Sequence, residues 1–234
     1  MDVEGRKAVV FGGTSGIGLA TARQLAALGA EVVAVSRDPG KAGKLPEGIR
    51  TATCDVRDQE AVAALLAEQA PLDILVSAAT GGARAIGPFL EMDMAGYRAS
   101  FDKLWGYANV VRFGARHLTE DGTIVLVSGA PSRKCLPGQV ALSSVGAAVE
   151  ALVRAVAVEM APRRINVVSP GMIDTPMVPM DARDRDEIYR KRTAGNLIPR
   201  AGTADEVAGA IVFVVQNDFV TGTTVDVDGG WLLS

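Results

Sequence analysis

The feature that most constrains this chain is a cluster of glycines directly after its first apolar segment. Lys7–Phe11 has the composition of a short buried strand, and Gly12, Gly16 and Gly18 follow it at once. Helix-forming residues then continue as far as Gly29. A strand, a glycine turn and a helix in this order let the backbone approach a phosphate, which the free N–H groups of the helix can bind. A plain glycine turn is the alternative, but this context favours a dinucleotide site.

Apolar strands and helices alternate along the whole chain. The strands are continuous apolar runs, which is typical of a parallel sheet covered by helices on both faces. Right-handed crossovers then predict a single doubly wound α/β domain whose ligands bind at the carboxyl ends of the strands. Strands are predicted at residues 7–11, 31–36, 50–54, 72–77, 123–128, 164–169 and 223–227, and helices at 18–28, 61–69, 94–118, 145–160 and 204–216.

Composition excludes several other classes of protein. The 234 residues include 24 Lys and Arg against 27 Asp and Glu, which gives a net charge of −3. A nucleic-acid-binding protein usually carries an excess of positive charge, so this balance argues against that function. Cys54 and Cys135 are too few for a disulfide framework, which favours a reducing, cytoplasmic location. We expect neither a signal peptide nor an apolar stretch near the roughly 18 residues of a membrane helix. The expected partner is a small molecule, with no nucleic acid and no membrane.

The end of the second strand indicates which dinucleotide binds. A site for the 2′-hydroxyl of NAD(H) usually places Asp or Glu there, whereas this chain has Ser36 and Arg37. A hydroxyl and a guanidinium suit a 2′-phosphate, because arginine forms charge-assisted hydrogen bonds to phosphate. We therefore expect NADP(H) rather than NAD(H). The alternative is that Arg37 is a solvated loop residue paired with Asp38.

Further motifs stand at matching places along the chain. Asp55 and Val56 follow the third strand, Pro170-Gly171 and Thr175 follow the sixth, and a D-G-G sequence ends the last strand. With the G-x-x-x-G-x-G pattern, this set resembles the short-chain dehydrogenase/reductase family over essentially the whole chain. The resemblance implies a Rossmann-type fold with a seven-stranded parallel sheet, an NADP(H)-dependent oxidoreductase activity, and a homodimer or homotetramer. The cofactor-binding residues expected on this basis are Gly12, Thr14, Ser15, Gly16, Ile17, Gly18, Ser36, Arg37, Asp55, Val56, Ala78, Ala79, Pro170, Gly171, Ile173 and Thr175.

The catalytic pattern of that family is not matched. Its members use a tyrosine as proton donor, a lysine four residues later, an orienting serine and a supporting asparagine. In this chain the tyrosine and lysine positions hold Leu142 and Gly146, and the serine position holds Gly129. The asparagine position holds Lys103. Loss of a general acid typically costs about 10²–10⁴ in rate, so we do not expect ordinary carbonyl reduction by the tyrosine route.

Lys103 and Ser128 are the candidate catalytic residues. A buried or crowded lysine can act as an acid near neutral pH or stabilise a developing oxyanion. Ser128 lies one residue before the serine position and could bond a substrate oxygen. The alternatives are a lysine that reaches into solvent and a hydroxyl that caps the strand end.

Weaker candidates surround this position. Ser143 and Ser144 flank the lost tyrosine and are more typical of helix N-caps. Apolar residues between 172 and 202 predict a substrate lid and an apolar substrate, although lid packing alone would explain them. The other side chains considered are Arg133 as an anion ligand, Cys135 beside two cations, His117 at a helix end, Tyr189 in the lid segment, and the lid residues Met172, Ile173, Met177, Val178 and Met180.

Two functions follow from these residues. The first is an NADP(H)-dependent oxidoreductase with a non-standard site, in which hydride goes to an activated double bond, an imine or a conjugated carbonyl. The proton would come from Lys103, from water or from the substrate. The second is a non-redox protein on the same scaffold: a dinucleotide sensor, a pseudoenzyme, or a cyclase or dehydratase. Fold alone does not choose between them.

Overall fold

The computed structural model describes residues 1–43, 45–80, 82–176 and 182–234. The strands are β1 (Lys7–Phe11), β2 (Glu31–Ser36), β3 (Ile49–Thr53), β4 (Leu72–Ser77), β5 (Leu118–Val127), β6 (Arg164–Pro170), β7 (Ile173–Asp174), β8 (Gly202–Thr203) and β9 (Thr224–Val227). The α-helices are α1 (Gly16–Ala27), α2 (Gln59–Gln69), α3 (Met94–Ser100), α4 (Asp102–Gly114), α5 (Val140–Met160), α6 (Ala182–Thr193) and α7 (Ala204–Gln216).

Seven strands form one parallel sheet in the order β3-β2-β1-β4-β5-β6-β9. The chain builds outwards from β1 to β3 and then crosses to the other side of β1, where β4 lies. The strand order therefore reverses between β1 and β4, and such a reversal opens a crevice at the carboxyl edge of the sheet. The predicted doubly wound α/β sheet is confirmed.

Both faces of the sheet are buried. Neighbouring residues of β1 point to opposite sides, so Val9 belongs to one apolar cluster and Val10 to another. The first cluster lies under α2, α4 and α5, and the second under α1 and α7. Because the central strands are covered on both faces, their polar residues have no solvated side to occupy, and this explains their continuous apolar runs. The edge strands β3 and β9 keep exposed residues.

Helix α5 begins five residues earlier than expected. It spans Val140–Met160, 21 residues, and includes Ser143 and Ser144, which the sequence analysis treated as helix-start residues. By length and composition α5 could cross a membrane, since an 18-residue window has a mean hydropathy of 1.6. The expectation that no apolar segment reaches that length is therefore wrong. In the structure α5 packs against β6 and α4, and one third of that window is buried.

The segment predicted as a lid is held at both of its ends. Ile173 of β7 pairs with Gly202 of β8, and Asp174 pairs with Thr203. This two-stranded ladder was not foreseen, because two-residue strands leave no periodic pattern. Helix α6 lies between them, while Met177, Val178 and Met180 fall outside the described residues. Elsewhere the helix expected at residues 94–118 is two helices that meet at Phe101.

Arg164 joins the end of the sheet to the end of α7. Its guanidinium is almost fully buried and donates to the carbonyl oxygens of Val214 at 2.9 Å and Val215 at 2.8 Å. These two residues lie in the last turn of α7, where carbonyl groups have no partner within the helix.

We expect Arg164→Met to lower the free energy of unfolding by about 2–3 kcal/mol, because it removes charge-assisted hydrogen bonds and leaves buried carbonyls unpaired. Urea denaturation measures this change. Arg23→Met, at an exposed position on α1, should change stability by less than about 0.5 kcal/mol. Equal effects of both variants would show that Arg164 does not hold α7.

Candidate active site

The turn after β1 is packed so closely that only glycine fits. A Cβ atom on Gly18 would lie 2.1 Å from the carbonyl oxygen of Gly12. Gly12 has a φ of +75°, and a Cβ there would lie 2.9 Å from the nitrogen of Ala79 and 3.0 Å from the carbonyl carbon of Ala78. The first turn of the chain is therefore pressed against the residues that follow β4. This contact forms the floor of the crevice between β1 and β4.

The start of α1 is open to an anion. Ser15 precedes the helix and makes no capping hydrogen bond through its side chain. The first turn carries no acidic residue, so its N–H groups keep the positive end of the helix dipole. Thr14 and Ile17 flank this turn and are partly exposed. The geometry suits the pyrophosphate of a dinucleotide.

The residues expected to bind the adenosine half of the dinucleotide lie at the ends of β2 and β3. The hydroxyl of Ser36 is buried and has no hydrogen-bond partner among the described residues, so it is free to bind a ligand oxygen. Arg37 is exposed beside it. The Arg57 guanidinium lies 2.6 Å from the Asp55 carboxylate and, with a smaller contribution from Arg37, holds the pKa of Asp55 below its usual value. A hydroxyl donor, a cation and a carboxylate thus lie together at the carboxyl edge of the sheet. This combination suits an adenosine that carries a phosphate.

Two further backbone positions complete the cofactor crevice. Val56 is buried, and its carbonyl oxygen accepts a hydrogen bond from the Asn109 amide at 2.9 Å. Gly171, after Pro170 of β6, packs so tightly that a Cβ atom would lie 2.8 Å from the Cα of Asp228. Thr175 is buried and lies beside Gly16 at the start of α1. The structure therefore brings the expected cofactor-binding residues of β1, β4 and β6 together at one edge of the sheet.

Lys103 points towards the end of β5. Its Nζ donates a hydrogen bond to the carbonyl oxygen of Ser128 at 3.2 Å, and the ammonium lies 5.4 Å from the centre of the Tyr107 ring. Burial, assisted by the positive charge of Arg84, lowers the pKa of Lys103 to about 7. The Tyr107 hydroxyl donates to the carbonyl oxygen of Val127 at 2.9 Å. The two candidate catalytic residues are therefore in direct contact, and Lys103 does not extend into solvent.

The Ser128 hydroxyl is directed under α5. It donates to the carbonyl oxygen of Gly146 at 3.2 Å and lies 3.4 Å from the Glu150 carboxylate. The side chain therefore ties the end of β5 to α5, while its carbonyl oxygen holds Lys103. Contact between this hydroxyl and a substrate oxygen stays a prediction.

Glu150 is a buried carboxylate that the sequence analysis missed. It accepts a hydrogen bond from the Ser132 hydroxyl at 2.5 Å and lies 3.5 Å from the Arg133 guanidinium. Arg133 also binds Asp226 of β9 and donates to the Ser169 hydroxyl at 3.2 Å. This network fixes the loop after β5 against α5, β6 and β9. It also makes Arg133 an unsuitable ligand for a substrate anion.

The position expected to hold lysine has no room for a side chain. A Cβ atom on Gly146 would lie 2.9 Å from the Cβ of Ser132 and 3.3 Å from the Ser128 hydroxyl oxygen. Gly129, in contrast, has ordinary space, with the nearest atom 3.6 Å away on Pro131. Leu142 is partly buried one turn before Gly146. The packing of the neighbouring residues therefore requires glycine at position 146.

Ser143 and Ser144 are not N-caps, because α5 already begins at Val140. The Ser144 hydroxyl instead donates to the carbonyl oxygen of Val140 at 2.8 Å and accepts a hydrogen bond from the Tyr97 hydroxyl at 3.0 Å. The Ser143 hydroxyl is buried without a partner in the described part of the chain. Ser144 therefore joins the start of α5 to α3.

The remaining candidates make no hydrogen bond or ion pair with Lys103 in the described part of the chain. His117 precedes β5 and lies at the opposite edge of the sheet from the crevice. Cys135 is exposed, and its sulfur lies 3.9 Å from the carbonyl oxygen of Pro131. Tyr189 is buried on α6 near Asp174 and Thr175, and burial raises the pKa of its hydroxyl.

Arg84 is the other residue that sequence reasoning missed. It lies between β4 and α3, outside any motif, and its charge reaches both Lys103 and Tyr107. The effect acts between segments that are 19 residues apart, so no local pattern could have identified Arg84.

Comparison with known proteins agrees with this geometry. A family model described as enoyl-(acyl carrier protein) reductase matches residues 12–232. The chain is 33% identical to L-xylulose reductase of Bos taurus over 97% of both chains. It is 37% identical to cis-4-hydroxycyclohexanecarboxylate dehydrogenase of Sinomonas cyclohexanicum over 97% of this chain and 96% of that one. A solved small-chain dehydrogenase in complex with NADPH has a TM-score of 0.83 and 31% identity, with 99% of this chain and 100% of the other covered.

We expect Arg37→Gln to raise the Kd of NADPH roughly tenfold or more and to leave that of NADH nearly unchanged, because a charge-assisted bond to the 2′-phosphate is lost. Titration followed by tryptophan fluorescence measures both constants. Arg50→Gln, an exposed charge change at the edge strand β3, is the matched control. If Arg37→Gln weakened the binding of NADPH and NADH equally, Arg37 would support the fold of the site and would not bind the 2′-phosphate.

Proposed function

Because the chain belongs to the short-chain dehydrogenase/reductase family, we propose that it is an NADP(H)-dependent oxidoreductase with a non-standard proton donor. Its substrate is a largely apolar small molecule with an activated double bond, an imine or a conjugated carbonyl. The observation that carries this proposal is the Lys103 ammonium, held at the end of β5 with a pKa of about 7.

The cofactor crevice is complete in this chain. Gly12 and Gly18 allow the backbone to approach the pyrophosphate, and the open first turn of α1 binds it. Ser36 and Arg37 bind the 2′-phosphate, while Thr175 lies where the nicotinamide amide would be held. When bound, NADPH supplies the hydride. The structural relative that contains NADPH supports this assignment.

The proton must come from a group other than the usual tyrosine. Leu142 has no proton to donate, and the packing around Gly146 leaves no place for the lysine that would assist a tyrosine. Lys103 can donate at neutral pH, because an acid is most effective when its pKa lies near the working pH. The Ser128 carbonyl oxygen holds its Nζ in place during this transfer.

Substrates that need little acid assistance fit this arrangement best. Hydride addition to an enone leaves an enolate, which water or Lys103 can protonate. Hydride addition to an iminium gives the neutral amine directly and needs no proton. The relative named for a hydroxycyclohexanecarboxylate supports a small alicyclic skeleton as the substrate class.

We also propose that the protein is a homo-oligomer that pairs through α5. The outward side of α5 carries exposed small and apolar residues, and a second copy would cover them. These residues are Ala147, Ala151, Ala155 and Val158.

A non-redox function is the second candidate, and Leu142 and Gly146 favour it. In that case the crevice binds the dinucleotide without turnover, and the pocket beside Lys103 serves a cyclisation or dehydration. A panel of enones and imines separates the two functions: oxidation of NADPH supports the reductase, and binding without oxidation supports the alternative.

We expect Lys103→Met to lower kcat by about 10²–10⁴-fold and to change the Kd of NADPH less than threefold, because the proton donor is lost while the crevice is kept. Stopped-flow kinetics and NADPH titration provide the two readouts. Lys103→Arg keeps the charge but cannot release a proton, so it should be nearly as slow. Unchanged turnover in Lys103→Met would exclude the role of Lys103.

We expect kcat/KM for reduction to fall about tenfold per pH unit above pH 7. The reason is that the protonated ammonium is the reactive form of Lys103, and its fraction decreases above a pKa of about 7. A pH–rate profile between pH 6 and 9 checks this, with NADPH saturating at each point. A flat profile would mean that water or the substrate provides the proton.

A further inference from the structure

We propose that the adenine ring of the dinucleotide stacks on the flat face of the Arg57 guanidinium, and that Asp55 contributes by holding Arg57 in place. This inference rests on the proposed binding of NADP(H), and it names the residue that recognises the base. Arg57 directly follows Asp55 and Val56 but was not among the residues predicted to bind the cofactor.

The hydrogen bonds from Arg57 fill the Asp55 carboxylate. The Nε atom of Arg57 lies 3.1 Å from both carboxylate oxygens, Nη2 donates to Oδ2 at 2.6 Å, and the backbone N–H donates to Oδ1 at 3.0 Å. Each oxygen thus accepts two contacts, and an ionised carboxylate has about four lone-pair sites in all. An adenine amine would have to displace Arg57 in order to bind this carboxylate.

The same guanidinium reaches the start of α4. Its Nη1 lies 3.4 Å from Oδ2 of Asp102, the first residue of that helix. The Asp102 carboxylate in turn lies beside the segment after β4, because a Cβ atom on Gly82 would be 2.9 Å from the same oxygen. Arg57 therefore bridges the segments that follow β3 and β4, at the edge of the sheet where the adenosine half is expected.

These contacts use the edge of the guanidinium and leave its faces free. The N–H groups of arginine lie in the plane of the group, so the bonds to Asp55 and Asp102 fix the orientation of that plane without covering it. The Arg57 side chain accordingly stays 44% exposed although it has two partners. A planar guanidinium held in this way suits stacking on an aromatic ring, and every nucleobase offers such a ring.

The charge balance at Arg57 favours a base over a phosphate. Two carboxylates, Asp55 and Asp102, lie against this single guanidinium. A phosphate placed there would be repelled by both carboxylates, whereas an uncharged ring meets no such repulsion. The 2′-phosphate is thereby left to Ser36 and Arg37.

The first test is calorimetric titration of Arg57→Met and Arg57→Lys with NADPH and NADH. Arg57→Met should raise the Kd of both about tenfold, because both dinucleotides carry the adenine. Arg57→Lys keeps the charge beside Asp55 but has no flat face, so it should be nearly as weak. Arg50→Met, an exposed change on β3, is the matched control and should leave both constants unchanged.

Three results of this titration would overturn the proposal. The first is unchanged affinity in Arg57→Met. The second is full affinity in Arg57→Lys, which would show that the charge and not the flat face matters. The third is a loss for NADPH alone, which would show that Arg57 binds the 2′-phosphate.

Two further probes locate the effect on the base. Adenosine 2′,5′-bisphosphate carries the adenosine half alone, so Arg57→Met should raise its Kd by the same factor as that of NADPH. The hypoxanthine analogue of NADPH keeps the ring but has a carbonyl in place of the 6-amino group, so the unaltered protein should bind it within about threefold of NADPH. A preference of about tenfold or more for the adenine form would show that Asp55 binds the amine directly. That preference, or an unchanged Kd for the bisphosphate in Arg57→Met, would overturn the proposal.

These titrations do not depend on turnover. If the expected losses occur and no substrate oxidises NADPH, the adenine site stands and the proposed reductase is excluded. If enones oxidise NADPH while Arg57→Met binds it normally, the reductase stands and the adenine site is excluded. Failure of the unaltered protein to bind either dinucleotide would exclude both.

Discussion

The contact between Gly18 and the carbonyl oxygen of Gly12 is the constraint on which the rest of this structure depends. It seats α1 directly on the turn after β1 and presses that turn against Ala78 and Ala79. The crevice between β1 and β4 therefore has a backbone floor, and the first turn of α1 points its N–H groups into it. Any side chain at either glycine would lift the helix and close the phosphate site. The expectation that a dinucleotide binds here depends more on this close backbone packing at Gly12 and Gly18 than on any side chain.

The other end of the crevice is governed by charge. Within the described residues, Glu150 is the buried carboxylate that binds the loop after β5, and it does so through Ser132 and Arg133. This network occupies the space beside Gly146, where a family lysine would run. In the proposed mechanism the positive charge near the reaction comes from the opposite wall, from Lys103 on α4. A lysine on this wall is partly buried, and burial, assisted by the positive charge of Arg84, makes it a better acid than an ordinary lysine.

Much of the fold could be predicted because the signals were local. Continuous apolar runs identified the central strands of the main sheet, because these strands are largely buried on both faces. The edge strands β3 and β9 have mixed sequences and exposed residues, and they were nevertheless placed to within a residue or two. The errors lie where tertiary contacts decide the outcome. Helix α5 starts at Val140, although Ser143 and Ser144 are poor helix formers, and its residues Gly146 and Glu150 pack beside the loop after β5. The β7–β8 ladder depends on two segments about 30 residues apart, and neither has a strand pattern of its own.

The sequence by itself determined the glycine turn of the cofactor crevice and the presence of Leu142 and Gly146 where the family resemblance predicts tyrosine and lysine. Both are properties of single positions next to a recognisable strand or helix, such as Gly18 after β1 and Leu142 on α5. Only the tertiary structure decided the surroundings of Lys103, the proposed proton donor. The acidity of Lys103 depends on burial and on the charge of Arg84, and Arg84 lies 19 residues away in a loop without a motif. Burial and through-space charge arise from chain segments that meet after folding, so no local pattern records them.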